Sequence, residues 1–288
     1  MTIKSRVFVR DTCSLGEGPF WFDDRLWWVD IDACALHSVD ANGESRRSFP
    51  LGQRIGAAAP LASGGLIVAL EEGIGTFDPA TGRLEILHAP ERGVEGSRFN
   101  DGKCDPAGRF IAGTLCMTGR EQTSALYSLS TTGVLEKLYA PVTISNGLAW
   151  SSDGGTMYYI DTPTLEIAAF AYDVHSGRIG PRSVVVKVPV EMGYPDGMCI
   201  DSEGNLWVAH WGGAAVRCWS PITGECLAEI PVPCMQPTNC CFGGGDFSSL
   251  FITSARGGDN GEDWPLAGSV FVCKPGVEGL PARECSLR

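Results

Sequence analysis

Four short stretches place polar side chains in settings stiff enough for chemistry. In YPDGM, Asp196 lies between Pro195, which fixes its own φ, and Gly197, which tolerates an unusual one, so a rigid backbone aims its carboxylate. SLGEGPFW holds Glu17 between two glycines, SRFNDGKCD holds Arg98, Asn100 and Asp101, and ISNGLAWS sets Asn146 ahead of Gly147. Taken singly, Asp-Gly and Asn-Gly are common turn formers, and a lone Pro-Asp-Gly reads first as a turn. Recurrence reverses that reading, because all four stretches occupy corresponding places in a repeat. Loops converging on one axial point would gather two carboxylates and amide oxygens there. Glu17, Asn146 and Asp196 are hard oxygen donors, a set suited to Ca²⁺, Mg²⁺ or Mn²⁺ with waters completing the shell. Carboxylates buried together without a cation repel one another and take up protons, which a metal would relieve.

The repeat that must position these residues is a Gly/Asp/Ser-rich turn, a short apolar strand, a second turn and another strand. It appears as DDRLWWVDIDACALHSVDANG from Asp23, ASGGLIVALEEGIGTFDPATG from Ala62, and DPAGRFIAGT with SALYSLSTTG from Asp105. It returns from Ser151, from Asp201 and, as GGDFSSLFITSAR with GSVFVCKPGVEG, near Gly244. The period of about 40 to 50 residues is that of propeller blades. Ser183 to Val188 and Cys226 to Val232 read as further strands, and no segment sustains a helical period, Leu165 to Ala171 coming nearest. The expectation is an all-β, six-bladed β-propeller occupying residues 1–288 as a single domain. Each copy supplies two inner strands, the site residues sit on the loops entering them, and Arg6 to Arg10 is the candidate closing strand. A pair of β-sandwiches would show a break in composition near the middle, and none is present.

Composition narrows the partners. The chain has 288 residues, 44% hydrophobic and 19% charged, with 37 glycines and 18 prolines scattered as turn punctuation. A net charge of −12 argues against nucleic acid or an anionic membrane as partner. MTIKSRVFVRDTCSLGEG has no apolar h-region or small-residue cleavage site, and no stretch is long enough to span a bilayer, so the expectation is a cytoplasmic protein. The 12 cysteines sit mostly within apolar runs and form no CxxC, which points to reduced, buried thiols.

Taken together, GEGPFW, RFNDGKCDPAGRFIAGT, ALYSL, ISNGLAWS, YYID, PDGMCIDSEGNLWVA, PITG and CCFGG resemble the SMP-30/gluconolactonase (regucalcin) family over nearly the whole chain, in the family's order. The resemblance implies a six-bladed propeller that hydrolyses sugar lactones with one divalent ion near the axis, among Ca²⁺, Zn²⁺, Mn²⁺ and Mg²⁺. Carried over by motif, Glu17, Asn146 and Asp196 match its metal ligands, Asp196 also its acid/base, and Arg98 and Asn100 its substrate contacts. One place departs. Where the animal members carry acidic residues after the AGT motif, one of them touching substrate, this chain reads Leu115-Cys116-Met117-Thr118, with Glu121 as the candidate substitute. The motifs fit bacterial pentonolactonases and gluconolactonases equally well.

The function expected is metal-dependent hydrolysis of a small sugar lactone by a monomer or weak dimer. No GxSxG and no His near a candidate Ser suggests a covalent nucleophile. A non-catalytic calcium-binding regulator would keep the ligands without needing Arg98 and Asn100. A phosphotriesterase-like hydrolase would share the propeller and the hard metal. A protein-interaction propeller would carry WD or kelch signatures, which are absent.

Overall fold

The computed structural model describes residues 3–257 and 263–288. Among them, six four-stranded antiparallel sheets form the blades of a β-propeller. Blade 1 runs outward from the axis through Gly16–Phe22, Arg25–Asp30, Ala35–Asp40 and Arg47–Pro50. The innermost strands of blades 2 to 6 are Ile55–Pro60, Ser97–Cys104, Ser145–Trp150, Tyr194–Ile200 and Pro237–Gly243. Each touches the next, and Pro237–Gly243 touches Gly16–Phe22, so the ring is closed. Blade 6 takes its outermost strand from the other end of the chain: Arg6–Val9 pairs with Val270–Cys273. The closing strand therefore lies where the sequence placed it.

The repeats carry a one-strand phase difference from the blades. The strands read as inner are the middle two of each sheet, as in blade 1, where the repeat from Asp23 yields Arg25–Asp30 and Ala35–Asp40. The innermost strand is the segment ahead of each repeat. Glu166 to Ala171 lie within the strand Glu166–Tyr172, with Leu165 the left-handed residue just ahead of it, and Ser183 to Lys187 are the second half of the outer strand Ile179–Lys187.

Runs such as Leu26-Trp27-Trp28-Val29 and Leu66-Ile67-Val68-Ala69 are apolar at every position because both faces of each blade are covered. The core accordingly lies between blades rather than on the axis. Phe20, Trp27 and Val29 of blade 1 meet Ala58, Leu66 and Phe77 of blade 2, and equivalent clusters fill every other junction. That arrangement leaves the axis free for polar side chains. No helix among the described residues is long and apolar enough to cross a membrane.

Candidate active site

All six innermost strands break register at the same level. The shift falls between Glu17 and Phe20, Ile55 and Ala57, Phe99 and Gly102, Ser145 and Leu148, Pro195 and Met198, and Pro237 and Asn239. A bulge inserts an extra residue and re-aims the side chain beside it. Here it places Glu17, Asn100, Asp101, Asn146, Asp196 and Asn239 around the axis. Glu17, Asn100, Asn146 and Asp196 thus stand within strands at bulges, not on the loops that enter them. A strand ladder holds its side chains more stiffly than a loop does. Gly197 shows how little room remains, because a Cβ there would collide with the side chain of Asn239.

Three carboxylates are buried in this ring, Glu17, Asp101 and Asp196, each at most 6% exposed. Oε2 of Glu17 accepts hydrogen bonds from the amide of Gly18 at 2.6 Å and from Nδ2 of Asn239 at 2.9 Å. The same Nδ2 reaches Oδ2 of Asp101 at 3.3 Å, and Asp101 also accepts from the amide of Gly102. Asn239 is oriented in turn by the amide of Cys240, which donates to its Oδ1 at 2.8 Å. Burial, then the charge of Asp101, pushes the Glu17 carboxyl up to about 8. Burial, then the charges of Glu17 and Asp101, drives Asp196 well above the carboxylate range. Asp101 is raised mainly by burial.

Beside the carboxylates lies a chain of amides. Nη1 of Arg98 donates to Oδ1 of Asn100 at 2.7 Å and to the carbonyl of Phe99 at 3.0 Å. Nδ2 of Asn100 donates to the carbonyl of Ser145 at 2.8 Å and to Oδ1 of Asn146 at 3.0 Å. Asn146 then donates to Oγ1 of Thr162 at 2.8 Å, and Thr162 to the carbonyl of Pro195 at 2.8 Å. Burial lowers the Arg98 guanidinium to about 10, which leaves it cationic at neutral pH.

Glu17, Arg98, Asn100, Asn146 and Asp196 all line one cavity of about 410 Å³, with Leu15, Leu115, Ile144, Thr162, Pro163, Tyr194 and Trp211 forming the rest of its wall. Five of the sequence-derived site residues are therefore brought together. Glu121 is not among them: it is exposed in the turn between the strands Phe110–Cys116 and Ser124–Leu129 and does not reach the cavity. Asp101 and Asn239 instead line a smaller space of about 100 Å³ further along the axis, with Lys103 and Arg283. Sequence reasoning assigned no role to Asn239, whose neighbours in Thr238-Asn239-Cys240 include no glycine. Its place at the blade 6 bulge, not its local sequence, brings it into the ring.

The donor chemistry fits a hard divalent ion. Among the described residues no side chain donates a hydrogen bond to Asp196, and Oε1 of Glu17 receives none. Two buried carboxylates with unmet lone pairs face one cavity, and Oδ1 of Asn146 keeps a lone pair beyond the one Asn100 uses. Among the described residues no group of three His, Cys, Asp or Glu side chains is placed to hold a metal, and the amide oxygen of Asn146 is the third oxygen donor on this wall.

A six-bladed propeller with hard oxygen donors at the bulges of its axial strands is the class that fold and site define. Residues 15–256 match the model of the SMP-30/Gluconolactonase/LRE-like region, and the chain belongs to that family. It is 40% identical over 243 residues to YvrE of Bacillus subtilis (strain 168), whose name carries a sugar lactone lactonase assignment, covering 84% of this chain and 83% of that protein. It is 36% identical over 292 residues to regucalcin of Sus scrofa, covering 97% of each. The crystal structure of a calcium-binding protein, regucalcin, from Agrobacterium tumefaciens str. C58 superposes with a TM-score of 0.94 at 29% identity, over 100% of this chain and 99% of that one.

Proposed function

We propose that the protein hydrolyses sugar lactones to the open hydroxy acids, with one divalent ion held by Glu17, Asn146 and Asp196. The observation that carries this reading is the cavity itself. Two buried carboxyl groups with unmet lone pairs and an amide oxygen share it with a guanidinium whose Nη2 has no partner among the described residues. A bound divalent ion would polarise the lactone carbonyl as a Lewis acid.

The remaining steps belong to the chain's own groups. Asp196, ionised once a cation offsets the burial and the neighbouring carboxylates that raise it, takes a proton from the attacking water as the water oxygen bonds to the carbonyl carbon. Arg98 donates to the oxyanion that develops. The ring C–O bond then breaks, and Asp196 returns the proton to the departing ring oxygen. Water has been added across the ester, and no covalent intermediate with the protein is needed. Asn100 supports this arrangement from behind, since both hydrogens of its amide are engaged by Ser145 and Asn146.

A calcium-binding regulator without catalysis has no need of a desolvated arginine beside its ligands, and the lactonase reading accounts for Arg98. The name of YvrE supports hydrolysis, and the Agrobacterium structure supports Ca²⁺ as the first ion to try. Free thiols at all 12 cysteines suit a reducing cytoplasm. The test is a pH-indicator assay over a panel of aldonolactones, with metal stripped and Ca²⁺, Zn²⁺, Mn²⁺ and Mg²⁺ restored one at a time. Metal-dependent acid release from at least one lactone is expected. No release with any ion would overturn the reading.

A further inference from the structure

The cavity wall is divided by chemistry. Its polar side chains are largely committed to one another: Asn100 to Arg98, Ser145 and Asn146, and Thr162 to Asn146 and Pro195. What remains for a substrate is the free side of Arg98 and the aromatic rim of Tyr194 and Trp211, paired across their two strands. The other wall is Leu15, Leu115, Ile144 and Pro163, whose side chains carry no donor or acceptor.

That apolar wall is built into the scaffold. Leu115 stands directly opposite Arg98 in the register of blade 3 and forms a β-bridge with Ile144 of the neighbouring segment. The two backbone pairings fix its Cα on both sides and keep its side chain on this wall. A ligand atom held by Arg98 therefore has its neighbours pressed towards Leu115 and Ile144. A hydroxyl placed there would lose its water and find no side-chain partner, whereas a methyl would be accommodated.

From this wall, and resting on the lactonase reading above, we infer that the preferred substrate is a lactone with one apolar end. Its ring presents the ester to Arg98 and the carboxylates, while a terminal methyl or short alkyl group lies on Leu115 and Ile144. Deoxyaldonolactones satisfy this description, and aldonolactones hydroxylated at every carbon do not.

The experiment compares matched pairs on the metal-loaded wild-type enzyme: L-rhamnono-1,4-lactone against L-mannono-1,4-lactone, and L-fucono-1,4-lactone against L-galactono-1,4-lactone. The deoxy member is expected to have the higher kcat/KM in at least one pair by about 10–100-fold, the range over which an apolar pocket discriminates against an added hydroxyl. Leu115→Asn supplies a partner for that hydroxyl and should shrink the ratio several-fold. The comparison on wild type stands whether or not the variant folds. If the hydroxylated member is as good or better in both pairs, the apolar-end inference fails and the lactonase reading survives. If lactones of every kind are left intact with metal supplied, both fall.

Discussion

Nδ2 of Asn100 donates to Oδ1 of Asn146 across the boundary between blades 3 and 4, at 3.0 Å. The oxygen it holds is the one proposed as the amide ligand of the metal. The Asn100 motif points to a substrate contact, and in the fold its two amide hydrogens go to the side chain of Asn146 and to the backbone carbonyl of Ser145.

Asn100→Ala should therefore weaken the metal site and not only substrate binding. Groups that orient a ligand typically contribute about 10–100-fold in metal affinity or activity. Calorimetric titration of Ca²⁺ into the metal-free variant is expected to show a loss near the lower end of that range. An unchanged affinity with a raised KM would return Asn100 to the role of a direct substrate contact.

Proton linkage follows from the buried carboxylates. Glu17 sits at about 8 in the fold against 4.5 for the free group, raised by burial and by Asp101. A carboxyl raised in the folded state keeps its proton while the unfolded chain has already lost its own. Its contribution to the metal-free fold is thus greatest below about pH 4.5 and is lost as pH climbs towards 8. Thermal melts of the stripped protein between pH 5 and 8 should fall more steeply for wild type than for Glu17→Gln. Metal binding must displace this proton, so Ca²⁺ affinity is expected to rise across the same interval and level off above it. Equal slopes for the two proteins would refute the linkage.

How much of this was legible in the sequence depends on which signal each residue left. Glu17, Asn146 and Asp196 each sit beside a glycine in a recurring frame, and recurrence marked them. The blade strands showed as unbroken apolar runs because both their faces are covered. The innermost strands hid themselves. Their glycines and polar side chains read as loops, since a bulged strand crowding an axis needs small residues and carries little apolar surface. Asn239 was invisible for the opposite reason, lying among cysteines and a proline in a stretch that reads as core. Glu121 was proposed from proximity in sequence, but the turn from Met117 to Thr123 carries it outward into solvent.

The closing strand tests whether residues 1–288 behave as one domain. Val9 is buried with Trp21, Trp28 and Val272, and Phe8 meets the ring of Phe251 edge-on at 4.8 Å. Removing residues 1–9 also leaves the ladder of Val270–Cys273 unpaired on one side. Each buried apolar side chain contributes about 1.5–3 kcal/mol, and each kcal/mol shifts Tm by about 2–4 °C at a size somewhat below this one. A drop on the order of 10 °C is expected, in a single transition by both calorimetry and circular dichroism. Two separated transitions would mean that the blades fold as independent units.

The sharpest test of the mechanism is Asp196→Asn. The substitution keeps the shape and one oxygen donor within a bulge whose other member, Gly197, has no room for a larger group. It removes one charge from the proposed ligand set and the only group assigned to move the proton. Metal affinity should fall, and that loss can be overcome by raising the ion concentration until binding saturates. What saturation cannot restore is the base, a contribution of about 10²–10⁴-fold in kcat. Stopped-flow or pH-indicator rates at saturating metal and substrate separate the two effects. Near wild-type turnover under those conditions would show that another group activates the water. Asp196 would then be a ligand alone, and Glu17, the other buried carboxylate lining the same cavity, would be the next residue to replace.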